Sequence, residues 1–375
     1  MPPAIPQTRI PGLDGLRGIA ALSVALGHCL LQVTGLPLWG TSLRDFPSMQ
    51  AADIAMRVFS TLLPSDAAVM VFFVLSGHVL WQSFQRRQAR FLAGLPDYAS
   101  ARIYRLMPLV IVTGLPIGLL SNASAPELVR NMLLLSTSLN NVLWSLQVEM
   151  VASLTLFALW GLTRGAAWML LLALVFAFGI TPFFRGQGAV VFFPAFVLGA
   201  LVSSIPPRLW QNSWLLAGST AMLLFSNLFL GHGGVTRCFE MLGATALIAA
   251  VAHGRLSWLG TSLPLFLGAI SYPFYLTHVL GLWAAEPYLA MLPPVPDLVM
   301  IAARAVLSIA LTIPLAWALH VFVEDPVLRA RPRLDWWPRT RQKLLSADGG
   351  SARWNTIGLP GRVRQSRAGD IAPGP

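Results

Sequence analysis

Long apolar segments recur along the whole chain, separated by shorter polar ones. An apolar run of about 20 residues can cross the ~30 Å hydrocarbon core of a bilayer as a helix. By that measure the sequence predicts about ten spans, near 16–36, 66–84, 104–121, 144–163, 166–182, 189–205, 214–231, 238–253, 265–289 and 299–323. We therefore expect an all-α integral membrane protein, a polytopic helical bundle whose membrane domain covers residues 1–325.

Composition agrees with this pattern. Of the 375 residues, 55% are hydrophobic and only 11% are charged, whereas a soluble globular protein carries about 25% charged residues. The mean hydropathy is +0.66. An ordinary soluble protein is thereby excluded. The two cysteines, Cys29 and Cys238, do not suggest a disulfide framework.

The net charge of +11 does not indicate a nucleic-acid partner, because the positive charges lie where a membrane protein places them. With ten spans, twenty Lys/Arg fall on the side of the N-terminus and five on the other. That asymmetry predicts cytoplasmic N- and C-termini. Residues 326–375 hold ten Lys/Arg and three Asp/Glu, which predicts a basic, disordered cytoplasmic tail that contacts anionic lipid headgroups of the bilayer.

Within the first span, Arg17 and His28 share one face. Eleven residues are about three helical turns, which leaves both side chains on one stripe with about 16 Å of helix between them. Ionisable groups in such a helix usually face a bundle interior or a cavity. A histidine satisfied by a neighbouring helix and an arginine reaching the headgroups are the structural alternatives.

Other spans also carry polar groups. Glu149 lies four residues after Ser145 in the fourth span, and a carboxylate at that depth is expected to have a role or a partner. Arg102 and Arg105 share a face at the start of the third span, where they are either topology determinants or anion ligands. Helical spacing also places three side chains on one stripe of the ninth span: Ser271, Tyr275 and His278.

Depth along the helices suggests two regions. At 1.5 Å per residue, His28 lies about 12 Å and Glu149 about 8 Å below the outer surface, so we expect them to meet. A second group should cluster instead at the inner surface, on the first, third and tenth spans: Arg17, Arg102, Arg105 and Glu324. The sequence thus predicts an inner cationic mouth and a deeper site holding an imidazole and a carboxylate.

Six motifs run in order between residues 10 and 328, and together they resemble the acyltransferase-3 family of membrane O-acyltransferases. They are LDGLRGIAALSVALGH with Arg17 and His28, FFVLSG with Ser76, R-x-x-R with Arg102 and Arg105, WSLxVE from Trp144 to Glu149, ISYPFYLTH with Tyr275 and His278, and FVEDP at 322–326. Relatives in this family O-acetylate surface polysaccharides, O-antigens, nodulation factors and some macrolides.

The resemblance implies transfer of an acyl group, most often acetyl, from cytoplasmic acyl-CoA to a sugar hydroxyl of an exported polysaccharide or glycoside, in the bacterial inner membrane. Acyl-CoA is then a co-substrate, with no permanently bound cofactor and no metal. His28 is expected to act as the general base, oriented by Glu149. The donor phosphates are assigned to Arg17, Arg102 and Arg105, and the site is shaped by Ser76, Trp144, Ser145, Tyr275 and His278.

Some questions stay open at the level of sequence. His78 stands where the family has an aromatic or aliphatic residue, and no soluble hydrolase-like domain follows the last span. Direct transfer and a covalent acyl-enzyme are both compatible with the residues. A transporter or flippase of lipid-linked saccharide is the rival function, although transporters tend to have duplicated halves and this sequence shows none.

Overall fold

Every regular element in the described residues is helical. The structure is a computed structural model that describes residues 10–35, 41–87, 91–181, 188–210 and 212–332. Its α-helices are α1 Pro11–Thr34, α2 Ala51–Ser60, α3 Ser65–Arg87, α4 Phe91–Leu120, α5 Ala125–Met132, α6 Leu143–Thr163, α7 Ala167–Ile180, α8 Ala189–Leu201, α9 Pro207–Trp210, α10 Ser213–Leu230, α11 Gly234–Ala252, α12 Ser262–Leu289, α13 Asp297–Leu319 and α14 Asp325–Ala330. A π-helical turn, His320–Glu324, joins the last two.

The prediction of an all-α membrane protein is confirmed. Each of the ten predicted positions holds a helix, but only eight helices among the described residues are long and apolar enough to cross a membrane. The helices at the fifth and sixth positions, Ala167–Ile180 and Ala189–Ser204, are shorter. At 1.5 Å per residue they fall short of the hydrocarbon thickness, so the count of ten is not confirmed.

Two helix boundaries differ from the prediction in ways that matter for the site. Helix α4 begins at Phe91, well before the predicted residue 104, because the helix continues through Pro96 and the polar residues after it. Arg102 therefore lies about 16 Å along α4 rather than at its end. Helix α6 begins as predicted, but Asn140 just before it is 3% exposed and donates to the carbonyl of Leu276. The start of α6 is thus inserted into the bundle.

The predicted basic tail begins later than residue 326. Helix α14 extends to Ala330, and Arg331 forms an ion pair with Asp97 of helix α4. Residues 326–332 therefore belong to the folded bundle. The rest of the predicted tail lies outside the described residues. Its disorder and its location on the cytoplasmic side of the membrane stay predictions.

Glycines allow the closest helix contacts in the bundle. A Cβ on Gly18 would collide with the backbone of Gly268, which brings α1 and α12 together. A Cβ on Gly77 would collide with the backbone of Phe196, and one on Gly199 with the carbonyl of Val74, which joins α3 to α8. Small residues serve this purpose in membrane helices generally. The α1–α12 contact fixes the two helices that carry the central histidines.

Candidate active site

His28 is hydrogen-bonded to His278 across the α1–α12 interface. Nδ1 of His28 lies 2.8 Å from Nε2 of His278, whose Nδ1 in turn lies 2.7 Å from the carbonyl oxygen of Tyr275. A carbonyl can only accept, so Nδ1 of His278 carries its proton. With both rings neutral, Nε2 of His278 then accepts from Nδ1–H of His28. With this arrangement of hydrogen bonds, Nε2 of His28 carries a lone pair that accepts from no donor in the described residues, which is the form required of a base.

The partner of His28 is therefore a histidine and not the carboxylate that the sequence suggested. Oε1 of Glu149 accepts from Arg102 at 2.5 Å and from Ser76 at 3.2 Å. No hydrogen bond joins Glu149 to His28 in the part of the chain that the structure describes. The structure does not confirm the expectation that the two would meet, because each side chain has another partner. Glu149 lies beside Arg102 on helix α4, and His28 lies beside His278 on helix α12.

Arg17 is held at the other end of the α1 stripe. Its Nε donates to Ser271 Oγ at 2.9 Å, one terminal nitrogen donates to the carbonyl of Gly268 at 3.0 Å, and Asp14 lies 3.5 Å away as an ion-pair partner. The guanidinium is thereby oriented, while 29% of the side chain stays exposed. Helix α12 thus contacts both members of the Arg17/His28 pair, Arg17 through Gly268 and Ser271 and His28 through His278.

A large cavity of about 460 Å³ occupies the Arg17 end of the bundle. Most of the predicted site residues line it: Arg17, Ser76, Arg102, Arg105, Ser145, Glu149 and Tyr275. The structure therefore brings together the three arginines that sequence analysis assigned to one mouth. Tyr98 and Tyr272 also line it, and their hydroxyls donate to the backbone carbonyls of Ser153 and Leu106.

Arg105 is held by a carboxylate and an aromatic ring. It forms an ion pair with Glu324 at 3.1 Å and lies over the ring of Tyr272, with its Cζ 5.9 Å from the ring centroid. Glu324, with only 3% of its side chain exposed, also accepts from His320 at 2.7 Å. The π-helical turn contains both His320 and Glu324, and such turns are frequent at functional sites.

A small cavity of about 160 Å³ lies at the His28 end. His28 lines it together with Trp144 and with polar residues at the starts of α3, α6 and α11, namely Asp66, Asn141, Arg237 and Glu240. Tyr275 and Val69 line both cavities. The two cavities therefore approach each other at Tyr275, one helical turn from His278.

Ser145 and Trp144 lie next to this boundary. Ser145 Oγ lies 2.8 Å from the hydroxyl of Tyr275, which fixes that ring between the cavities. Trp144 packs against Phe73 and Phe192. His78, the departure from the family pattern, is 2% exposed, and its ring lies 2.9 Å from the amide nitrogen of Gln82. His78 lines neither cavity and packs within the bundle.

Sequence reasoning missed Glu240 and Asp66. Glu240 lies inside the predicted eighth span, where a lone carboxylate in an apolar helix is itself an indication of function. Asp66 stands at the first residue of the predicted second span, where an acidic residue also fits an ordinary helix start. In the described ranges, no group of three or more His, Cys, Asp or Glu side chains could hold a metal ion.

Comparison with known proteins identifies a family. A family model described as an acyltransferase domain matches residues 10–321. No curated protein and no solved structure matches the chain. The match covers every predicted site residue and, apart from Leu328, the lining of both cavities. The chain therefore belongs to the acyltransferase-3 family and is a multi-pass membrane acyltransferase.

Proposed function

We propose that the protein moves an acetyl group from cytoplasmic acetyl-CoA to a sugar hydroxyl on the opposite side of the bacterial inner membrane. The observation that carries this proposal is the pair of cavities that approach each other at Tyr275, with the His28–His278 pair at that point. A donor and an acceptor can then reach one base from two sides.

The large cavity suits the donor. Its arginines can bind the phosphate groups of CoA, bidentately where the geometry permits. Arg17 and Arg105 keep 29% and 33% of their side chains exposed, whereas Arg102 keeps 11% and is paired with Glu149. From this mouth to His28 is about 16 Å along α1, a length similar to that of the extended pantetheine arm. The cationic mouth faces the cytoplasm in this proposal, in agreement with the positive charges of the sequence.

The transfer step balances without a cofactor. The acceptor hydroxyl gives its proton to Nε2 of His28 as its oxygen attacks the thioester carbonyl, which forms the new C–O bond. The C–S bond then breaks, and the imidazolium returns the proton to the departing thiolate. His278 holds the tautomer of His28 in this scheme, as a carboxylate does in hydrolytic triads.

The test uses membranes that carry the full chain and radiolabelled acetyl-CoA, with label followed into glycan, lipid and protein fractions. We expect label in a glycan fraction with the wild type and with the matched control His253→Ala. The ring of His253 is exposed, and its only hydrogen bond among the described residues is with the carbonyl of Ala249. His28→Ala should abolish that label. Label retained on the protein under single turnover would instead indicate an acyl-enzyme. Absence of label transfer by the wild type, with a glycan acceptor present, would refute the proposal.

A further inference from the structure

Glu240 is a buried carboxylate that lines the small cavity. It is 2% exposed, on the side of α11 that lines the small cavity and an adjoining narrow cavity of about 40 Å³. Among the described residues it makes no hydrogen bond or ion pair. A carboxylate inside a membrane bundle is costly unless something satisfies it. The hydrogen-bonding capacity of its carboxylate oxygens can therefore be satisfied only by molecules that occupy these cavities.

Asp66 adds a second acceptor to the same wall. Its Oδ2 is buried and has no hydrogen-bond partner in the described part of the chain, although Nδ1 of His232 lies 3.4 Å away. Asp66 lies at the start of α3 and lines both the small and the narrow cavity, as Glu240 does. Two carboxylate side chains with unused acceptor capacity thus border the cavity that holds His28.

Part of the lining of the small cavity is aromatic. Trp144 lines the cavity and packs on Phe192, with ring centroids 5.2 Å apart. The guanidinium of Arg237 lies over the ring of Phe192, 4.9 Å from its centroid. An aromatic surface suits the apolar C–H face of a sugar ring, whereas carboxylates suit its hydroxyl groups.

The size of the cavity limits what it can hold. A volume of about 160 Å³ has room for about ten water molecules. One hexose with its hydroxyl groups needs a similar volume. Arg237 also lines the cavity, but its guanidinium lies over Phe192 and beside Nε2 of His232. No cation of the described residues lies within ion-pair distance of Glu240, so an anionic sugar would bring a second negative charge to that carboxylate. Such a like charge in a poorly solvated site is strongly unfavourable.

We propose that the small cavity is the acceptor subsite and binds one uncharged sugar residue, whose hydroxyls donate to Glu240 and Asp66 while a neighbouring hydroxyl meets Nε2 of His28. This assignment rests on the proposed acyl transfer and adds its selectivity. Glu240 acts as the residue that reads hydroxyl groups and rejects sugar acids.

The experiment compares two soluble acceptor probes, methyl glucoside and methyl glucuronide, with radiolabelled acetyl-CoA and the purified full chain in lipid nanodiscs. We expect the wild type to acetylate the glucoside at least tenfold faster than the glucuronide. Glu240→Gln, which keeps the shape of the side chain, should reduce this ratio about tenfold and leave the KM for acetyl-CoA unchanged. Asp297→Asn, which removes an exposed carboxylate at the start of α13, is the matched control and should keep the wild-type ratio.

The outcomes separate the subsite from the function on which it rests. Equal rates on the two probes, or a ratio unchanged by Glu240→Gln, would overturn the assignment of the small cavity while acyl transfer stands. Binding of radiolabelled acetyl-CoA without acetylation of either probe would also overturn it. Failure of the wild type to bind acetyl-CoA would refute the proposed function itself. Thermal unfolding of each variant shows that the compared proteins are folded.

Discussion

Replacement of His278 tests the mechanism most directly, because this residue touches His28 and lines neither cavity. In His278→Ala, Nδ1–H of His28 loses the acceptor that lies 2.8 Å away. The ring of His28 is then free to adopt the other tautomer, in which Nε2 carries the proton and cannot act as a base. His278→Gln is the matched variant, since its Oε1 can reach the position of the lost Nε2 and accept the same proton.

The expected size of the effect follows from this one hydrogen bond. A buried donor left unsatisfied costs about 1–3 kcal/mol. The bond strengthens as His28 becomes positively charged in the transition state, because charge-assisted hydrogen bonds are about twice as strong as neutral ones. At 1.36 kcal/mol per tenfold change in rate, kcat of His278→Ala should fall about 100-fold. His278→Gln should stay within about tenfold of the wild type.

The assay is the initial rate of acetyl transfer from radiolabelled acetyl-CoA, with KM for the donor measured alongside kcat. KM should not change, because the large cavity keeps its lining in both variants. The thermal unfolding midpoint checks that the helices still pack. A wild-type kcat in His278→Ala, or equal losses in the alanine and glutamine variants, would refute the assignment of His278 as the residue that sets the tautomer.

Two further predictions concern packing and donor binding. Gly77→Ala should destabilise the protein by about 3 kcal/mol, seen as a lower thermal midpoint in detergent, because its Cβ would collide with the backbone of helix α8. Gly218→Ala, where nothing lies within 4 Å of the added carbon, should change stability by less than ~1 kcal/mol, and equal effects would contradict the close contact. Glu324→Gln should raise the KM for acetyl-CoA about tenfold with little change in kcat, since Arg105 loses a charged partner at 3.1 Å. Asp325→Asn, which breaks only an exposed ion pair, should leave both constants unchanged, and a similar KM in the two variants would contradict a positioning role for Glu324.

The helical class and the helix positions could be predicted from sequence, because an apolar run long enough to cross a bilayer leaves few alternatives to a helix. The pairing of Arg17 with His28 on one stripe also follows from helical periodicity alone. What periodicity does not give is the relative height of two helices. Glu149 was placed beside His28 on the assumption that α6 starts at the membrane surface.

Contacts between distant segments decided the rest of the site. The pairing of His28 with His278 depends on how α1 and α12 approach each other, and Gly18 and Gly268 set that approach from a position more than two turns away. The sequence did indicate that His278 shares a stripe with Tyr275. It could not indicate that this stripe would face His28, since residues 250 positions apart have no shared period.

The separation of the two cavities by Tyr275 and Val69 has a kinetic consequence. If donor and acceptor enter from opposite sides, neither blocks the entrance of the other, so they can bind in either order and form a ternary complex. Free CoA must leave through the mouth by which acetyl-CoA entered. We therefore expect product inhibition by CoA to be competitive with acetyl-CoA, and an excess of the acceptor sugar to leave that inhibition in place.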